Sequence, residues 1–413
     1  MRLFVTNSLK QPTVSIVYRF LPQWRVDFFD QLRDVLAARK IHLQLLYGRG
    51  TKSHPARHRL KWGNEVDLEW GRVVHNHIFA FGSYEIVWQS LPADLYDSDL
   101  IVFMQENAIV SNYWAECRAR LAGKKIAFWG HGGNLQARGQ WIDRLGDSVK
   151  KAASTRVDWW FAYTSSVARR VASMGYPPER ITSVENAIDT EGLRAAFERL
   201  QSADLDRYKR ELGLGKGPVG IFCGAMYQDK RLPFLFAACC QLREEIADFE
   251  MIFNGDGPQA DQVQEFCDQH PWAHYVGRKS GLDRVPYFKL AKVFLMPGLV
   301  GLAILDSFAL QTPMVTTDYR YHSPEIDYLE NGVNGMQTGD TLEAFVHGAA
   351  KLLQDPSLRQ RLIEGCRVTA RRYTVANMAS RFADGIEGAL GVRSFSAAAR
   401  QPAPVMRSNA NNH

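Results

Sequence analysis

Short apolar runs alternate with amphipathic stretches along most of this chain, and that rhythm limits its fold more than any other feature. TVSIVY (13–18) precedes RVDFFDQLRDVLAARK (25–40), and HLQLLYG (42–48) follows. DLIVFM (99–104) precedes VSNYWAECRARLAG (110–123); KIAFWG (125–130), DWWFAY (158–163), SSVARRVASMG (165–175) and ITSVEN (181–186) continue the pattern. Strand-helix alternation of this kind implies a parallel sheet with helices on both faces. A polar, charged segment from about Thr190 to Lys216 interrupts it. The alternation restarts with GPVGIFCGA (217–225), LPFLFAACCQLREEI (232–246), FEMIFNG (249–255) and QADQVQEFCDQ (259–269). It runs on through AHYVG (273–277), AKVFLMP (291–297), a helix around Asp306, PMVTT (313–317) and a helix from about Leu342 to Leu353. The expected fold is α/β, with two Rossmann-like, doubly wound parallel-sheet domains in tandem and ligands bound in the cleft at the carboxyl ends of their strands. Residues 1–190 form the first domain and 191–372 the second, which 413 residues can supply with two cores. A helix over 373–392 is expected to cross back to the first domain. The tail 393–413 has small polar residues without periodicity and reads as disordered.

Composition removes several classes. The chain is 46% hydrophobic and 23% charged, as soluble proteins are. Its longest uncharged apolar run, Val293 to Leu305, contains a proline and two glycines and stops at Asp306, too short for a membrane span. Lys10, Gln11 and Pro12 interrupt the first eighteen residues, so they do not read as a signal peptide, and cytoplasmic residence is expected. The six cysteines show no Cys-x-x-Cys spacing and read as reduced thiols. The net charge is +6, with basic residues dense between Lys10 and Lys61. Such a cluster is ordinarily a solvated face; the alternative is peripheral contact with anionic membrane at the inner face of the plasma membrane. No nucleic-acid motif accompanies the charge, so nucleic acid is not an expected partner.

Several motifs sit at strand ends. In MIFNGDGPQAD a strand ends in Gly255-Asp256-Gly257, where glycines allow a sharp turn and close approach to a ligand, although such turns also serve shape alone. In PGLVGLAILDSF, Gly298 and Gly301 keep side chains away while Leu299, Val300, Gly301 and Leu302 face a ligand, with backbone N–H groups directed at a phosphate. Asp306, one turn further in, is placed to accept from a ribose diol or simply favours the start of a helix. CGAMYQDKR carries Gly224 at a strand end and then Lys230 and Arg231, which suit a diphosphate or are a surface pair. GHGGN sets His131 among glycines just past a strand, with Gly132 and Asn134 beside it. No second ligand stands at metal-binding spacing from His131. Asp97-Ser98-Asp99 precedes its strand instead of ending one and reads as a loop. Hydrolase elbows and P-loops are absent from the sequence. Tyr18, Arg19 and the turn Gln105-Glu106-Asn107 lie at strand ends of the first domain and, with Gly132 and Asn134, are candidate acceptor contacts.

In order, VENAIDT (184–190), CGAMYQDKR, FNGDGP, MPGLVGLAILDSFALQTPMVTT and HSPEIDYLENGVNG (322–335) resemble the GT-B retaining glycosyltransferases of family 4, the glycosyl transferases group 1. The first half resembles them mainly in rhythm and at GHGGN. The resemblance implies a nucleotide-sugar donor held by the second domain and an acceptor held by the first. Gly298 to Leu302 would face the diphosphate and sugar, Asp306 would hold the ribose, Lys230 the diphosphate, and His131 the transferred sugar. His131, Lys230 and Asp306 are thus the implied catalytic set, with Gly224, Arg231, Gly255, Asp256 and Gly257 in the donor site. Two departures stand out: Gly298 occupies the place of the first acid of the Glu-x7-Glu motif, and Ala225 that of an arginine.

The family implies transfer of a sugar from a UDP- or GDP-sugar to a hydroxyl, with retention and without metal or cofactor; the nucleotide-diphosphate sugar is the co-substrate. A glycan or lipid-linked precursor is the expected acceptor. The departures motivate one alternative, a silent nucleotide-sugar-binding subunit, and a GT-B sugar-nucleotide epimerase is a second.

Overall fold

The computed structural model describes residues 11–49, 66–81, 84–132 and 156–392. Its first part runs β1 (Thr13–Tyr18), α1 (Val26–Ala38), β2 (His42–Gly48), β3 (Arg72–Val74), β4 (Asn76–Phe81), β5 (Tyr84–Gln89) and β6 (Leu100–Met104). It continues with α2 (Val110–Leu121), β7 (Lys125–Gly130), β8 (Trp159–Ala162), α3 (Ser165–Ser173) and β9 (Ile181–Ser183). Seven of these strands form one sheet in the order β3-β2-β1-β6-β7-β8-β9, every pair parallel. All five residues of β6 are buried, as an apolar run with helices on both faces requires. β4 and β5 stand apart as an antiparallel two-stranded ribbon. The strand-helix rhythm gave no sign of this ribbon or of β3.

The polar stretch read as a break contains α4 (Glu191–Arg199) and α5 (Ser202–Leu212). Their charges occupy solvent faces, while Leu193 is buried and Leu205, Tyr208 and Leu212 pack on the core. A reciprocal capping box between Gln201 and Asp204 starts α5, and Gly213, at φ 69°, ends it. Helical periodicity with only one apolar stripe is hard to tell from a linker when charge dominates the composition.

β10 (Val219–Ala225), α6 (Leu232–Glu245), β11 (Glu250–Asp256), α7 (Ala260–Gln269), β12 (Ala273–Tyr275), α8 (Val285–Leu290) and β13 (Val293–Leu295) begin the second domain. α9 (Ala303–Ala309), β14 (Met314–Thr317), β15 (Gly335–Thr338), α10 (Leu342–Gln354) and α11 (Pro356–Arg372) complete it. Its parallel sheet has the order β12-β11-β10-β13-β14-β15. α12 (Val375–Leu390) packs on the first sheet: Phe382 stacks on Phe161 at 4.0 Å, and Arg39 pairs with Asp384 at 2.7 Å and Glu387 at 2.9 Å.

In each sheet the strand order reverses beside the first strand, between β1 and β6 and between β10 and β13. Crossovers leave such a point on opposite faces, which opens a crevice at the carboxyl ends of the strands. The two crevices position the site. No helix among the described residues is long and apolar enough to cross a membrane.

Candidate active site

The cleft between the domains encloses about 200 Å³ and is lined on one side by the ends of the first sheet. β1 delivers Tyr18 and Arg19, β6 leads to Glu106, β7 to His131 and β8 to Tyr163. Arg19, 7% exposed, pairs with Glu85 at 2.7 Å and Glu106 at 3.1 Å. Arg25, fully buried, donates to Asn186 Oδ1 at 2.7 Å and lies over the rings of Trp24 and Trp129. Among the described residues, its Nε, that of Arg19 and the indole Nε1 of Trp129 are buried donors without a partner. Each such donor costs about 1–3 kcal/mol while it stays unpaired.

His131 meets Tyr163 edge-on at 4.2 Å. The ring is exposed to solvent at the cleft, yet the walls behind it lower its pKa by desolvation and Arg25 adds to this, against the pull of Glu325 and Glu106. The neutral ring therefore has one N–H to donate and one nitrogen to accept. Of the remaining candidates, Tyr18, Arg19 and Glu106 line the cleft. Gln105 and Asn107 are outside the lining, the backbone N–H of Gln105 donating to Trp129 O, and Gly132 packs toward Val167 and Val171 of α3. Asn134 lies outside the described residues.

The second domain contributes Gly301, Leu302, Ser323 and Glu325. Here the loop corrects the sequence reading: Leu299 N donates to Asp229 O at 2.8 Å and Val300 N to His322 Nδ1 at 3.0 Å. Both residues are buried, and it is Gly301 and Leu302 that line the cleft. Lys230, 6% exposed, lies beneath the loop and donates to Leu299 O; burial pushes its ammonium down to about 8. A Cβ on Gly298 would come within 2.2 Å of Asp229 O and 2.5 Å of Lys230 C. The missing acid thus follows from a loop pressed onto the Asp229-Lys230 backbone. Arg231 is also turned from the cleft, paired with Asp340 and lying over Phe234 and Tyr319.

A second cavity of about 210 Å³ opens at the ends of β10 and β11, where Gly224, Gly255 and Asp256 meet Arg278, Lys279 and Arg284. Gly255 and Gly257 answer to packing first: a Cβ would strike Gly224 O at 1.9 Å and Met226 O at 2.3 Å. Asp306, 4% exposed, reaches this cavity through Arg284, whose Nη2 it holds at 2.8 Å. Burial raises the Asp306 pKa and Arg284 opposes that. Arg284 Nε is another buried donor without a partner among the described residues. Asp99, by contrast, accepts from Thr13 N at 2.8 Å at the opposite, amino edge of the first sheet. Among the described residues, no group of three His, Cys, Asp or Glu side chains could hold a metal ion.

Sequence reasoning passed over Arg25, Asn186 and Glu325. Asn186 Nδ2 donates to Glu325 Oε1 at 2.6 Å, so the three side chains form one chain of hydrogen bonds across the domain boundary. Asp327 adds bonds to Thr164 Oγ1 at 2.8 Å and Ser166 N at 3.0 Å. Asn186 and Glu325 lie inside motifs already noted, VENAIDT and HSPEIDYLENGVNG, but no spacing rule pairs residues so far apart. Arg278 and Lys279 had a local signal, a glycine-flanked basic run just after the strand AHYV.

Residues 217–355, within the second domain, match the family model described as Glycosyl transferases group 1. The chain is 22% identical over 303 residues to a Bacillus subtilis (strain 168) protein named "Putative glycosyltransferase EpsD", covering 70% of this chain and 77% of that one. The structure of Anabaena Alr3699/HepE in complex with UDP superposes with a TM-score of 0.66 at 12% identity, over 91% of this chain and 99% of that one. A structure described as a "putative UDP-N-acetylglucosamine 2-epimerase" from Listeria monocytogenes gives a TM-score of 0.59 at 11% identity, over 93% and 98%. The architecture is therefore the GT-B fold: two Rossmann-like domains facing each other across a cleft.

Proposed function

We propose that this protein is a retaining glycosyltransferase that moves a sugar from a UDP- or GDP-sugar to a hydroxyl of a glycan or lipid-linked precursor, in the cytoplasm and without metal. The observation that carries this reading is the meeting, in one cleft, of the Gly301-Leu302 backbone with His131, Arg19 and Glu106. The family match falls on the domain that supplies this backbone.

In this reading the nucleoside occupies the cavity at the ends of β10 and β11, and its diphosphate runs toward Gly301 and Leu302. Arg278, Lys279 and Arg284 supply positive charge there, while Lys230 supplies it from beneath the loop. Asp306 acts as a positioning residue that holds Arg284. Neutral His131 donates to a hydroxyl of the transferred sugar. As the anomeric carbon–phosphate oxygen bond breaks, the acceptor oxygen bonds to that carbon from the same face, and its proton passes to the departing phosphate. Closure of the cleft excludes water from the cation-like sugar.

The test is thermal unfolding with UDP, GDP or ADP in excess EDTA, for the native chain and for Lys230→Ala, followed by product analysis with the corresponding sugar nucleotides. One nucleotide is expected to stabilise the native chain, by about 2.7 kcal/mol at a hundredfold excess over its Kd. Lys230→Ala is expected to lose that shift, and His131→Ala to lose acceptor-dependent product while keeping it. Nucleotide binding with no turnover in the native chain selects the silent subunit. An isomerised donor formed without acceptor selects the epimerase, which the Listeria likeness keeps as the second reading.

A further inference from the structure

The described surface carries eleven exposed large hydrophobic residues, and seven of them fall on β3, β4, β5 and α2: Val73, Phe79, Ile86, Trp88, Tyr113, Trp114 and Leu121. Every exposed aromatic of that set is among them, with Trp114 at 58% and Phe79 at 52%. The hairpin's register places Phe79 opposite Ile86 and His77 opposite Trp88, so these four share one face. Helix α2 is inverted. It buries Ser111, Asn112, Ala115, Glu116 and Ala119, and turns Tyr113, Trp114 and Leu121 to solvent. Its first turn joins the hairpin, since Gln89 N donates to Ser111 Oγ at 3.0 Å and Val87 N to Ala108 O at 2.7 Å. Folding alone gives no reason to place large aromatics outside and a carboxyl inside.

The charge of the face says what would cover it. The acids of the hairpin and α2 are turned inward: Glu85 onto Arg19, and Glu116 into the domain. Arg118 and Arg120 are exposed at the end of α2. Outside the face itself, residues 50–65 leave the described structure after Arg49, whose carbonyl accepts from Asn76 at the foot of β4. Their sequence carries Lys52, Arg57, Arg59 and Lys61 against the single acid Glu65. Exposed aromatic side chains on a helix that also exposes Arg118 and Arg120 suit the headgroup layer of an anionic bilayer, where indole rings settle at the interface and basic residues meet lipid phosphate.

We propose that the outer face of the β4–β5 hairpin and helix α2 docks this protein onto an anionic lipid bilayer. Glu85, on the inner side of the hairpin, is bonded to Arg19 in the wall of the cleft. Docking therefore sets the first-domain side of the cleft beside the membrane. The proposal stands apart from the transferase reading, because lipid binding is read without any sugar nucleotide.

The experiment is vesicle flotation of the full chain with phosphatidylcholine alone and with phosphatidylcholine plus phosphatidylglycerol. Binding is expected only to the anionic vesicles, weakening as salt rises. The variant Trp88→Ser/Trp114→Ser is expected to bind about tenfold more weakly with an unchanged thermal melt. Leu282→Ser, which removes an exposed leucine from the second domain, is expected to bind as the native chain does. A second measurement needs no core-proximal substitution. Cys117 is an exposed thiol on α2, so an environment-sensitive dye attached there should shift to the blue on the anionic vesicles. Absence of binding, an unshifted dye, or equal binding by the folded tryptophan variant would overturn the proposal. A concentration-dependent dimer abolished by the same variant would overturn it too, by making a second copy of the chain the occupant.

Discussion

The two walls of the cleft are built on opposite plans. On the second-domain side the cleft is lined by the loop at Gly301 and Leu302, and the backbone just before it is already committed: Leu299 N to Asp229, Val300 N to His322, and Leu299 O to Lys230. On the first-domain side the wall is made of side chains, and among the described residues Arg19 and Arg25 each keep a buried Nε without a partner. A backbone cradle can hold a group common to many ligands, such as a diphosphate, with little adjustment. A wall of long side chains with unmet donors is where one ligand can be told from another, since its unpaired groups penalise the wrong one.

That difference should appear in how the walls respond to substitution. Asp306 is buried against Arg284, whose side chain keeps 18% exposure, so Asp306→Ala leaves a partly buried cation unpaired and is expected to lower stability by about 3 kcal/mol. Urea unfolding measures this. A value near zero would show that Arg284 finds another partner and that the cradle is looser than its hydrogen bonds imply. Gly298→Ala drives a methyl group into the Asp229-Lys230 backbone and is expected to cost about 1–3 kcal/mol, with weaker nucleotide binding by calorimetry. A neutral result would place the loop farther from that turn. Glu106→Gln leaves Arg19 paired with Glu85, so a loss of about 1 kcal/mol or less is expected. If it equals the loss at Asp306, the contrast between the walls fails.

The smallest expected effect is a dependence on pH. His322 accepts from Val300 N at Nδ1, so its Nε2 must carry the proton it gives to Thr317 O, and the ring is neutral. Burial lowers its pKa, with Lys230 adding to this and the bond to Thr317 opposing. The folded protein then binds fewer protons at this ring than the unfolded chain. Its contribution is intact above the ordinary histidine pKa of about 6.5 and is lost as pH falls below it. Glu116 works the other way, since burial pushes its carboxyl up to about 7 and its contribution is lost as pH rises through that value. The measurement is therefore the difference between the native chain and His322→Gln, in which Glu116 cancels. That difference should narrow on acidification from pH 8 to pH 5, and a difference independent of pH would remove the neutral ring from the account of the loop.

The doubly wound α/β class was legible because parallel strands buried on both faces are apolar throughout and their crossover helices keep a 3.6-residue period. β6 and α1 are examples, each readable from its own few residues. The hairpin was not legible, since its outer face carries Phe79, Ile86 and Trp88 where alternation predicts polar residues. Helices α4 and α5 were hidden by their charge. Local sequence also marked the glycine turns and His131, because a strand end followed by glycine is a signal contained within a few residues. The sequence by itself determined which segments are strands buried in a sheet and therefore where the strand ends fall. Only the tertiary structure decided what meets at those ends: the loop amides turned inward, Asp306 given to Arg284, and Arg25 linked through Asn186 to Glu325. Hydrogen bonding of a buried group is settled by whichever partner arrives from elsewhere in the chain, and no window of neighbouring residues contains that partner.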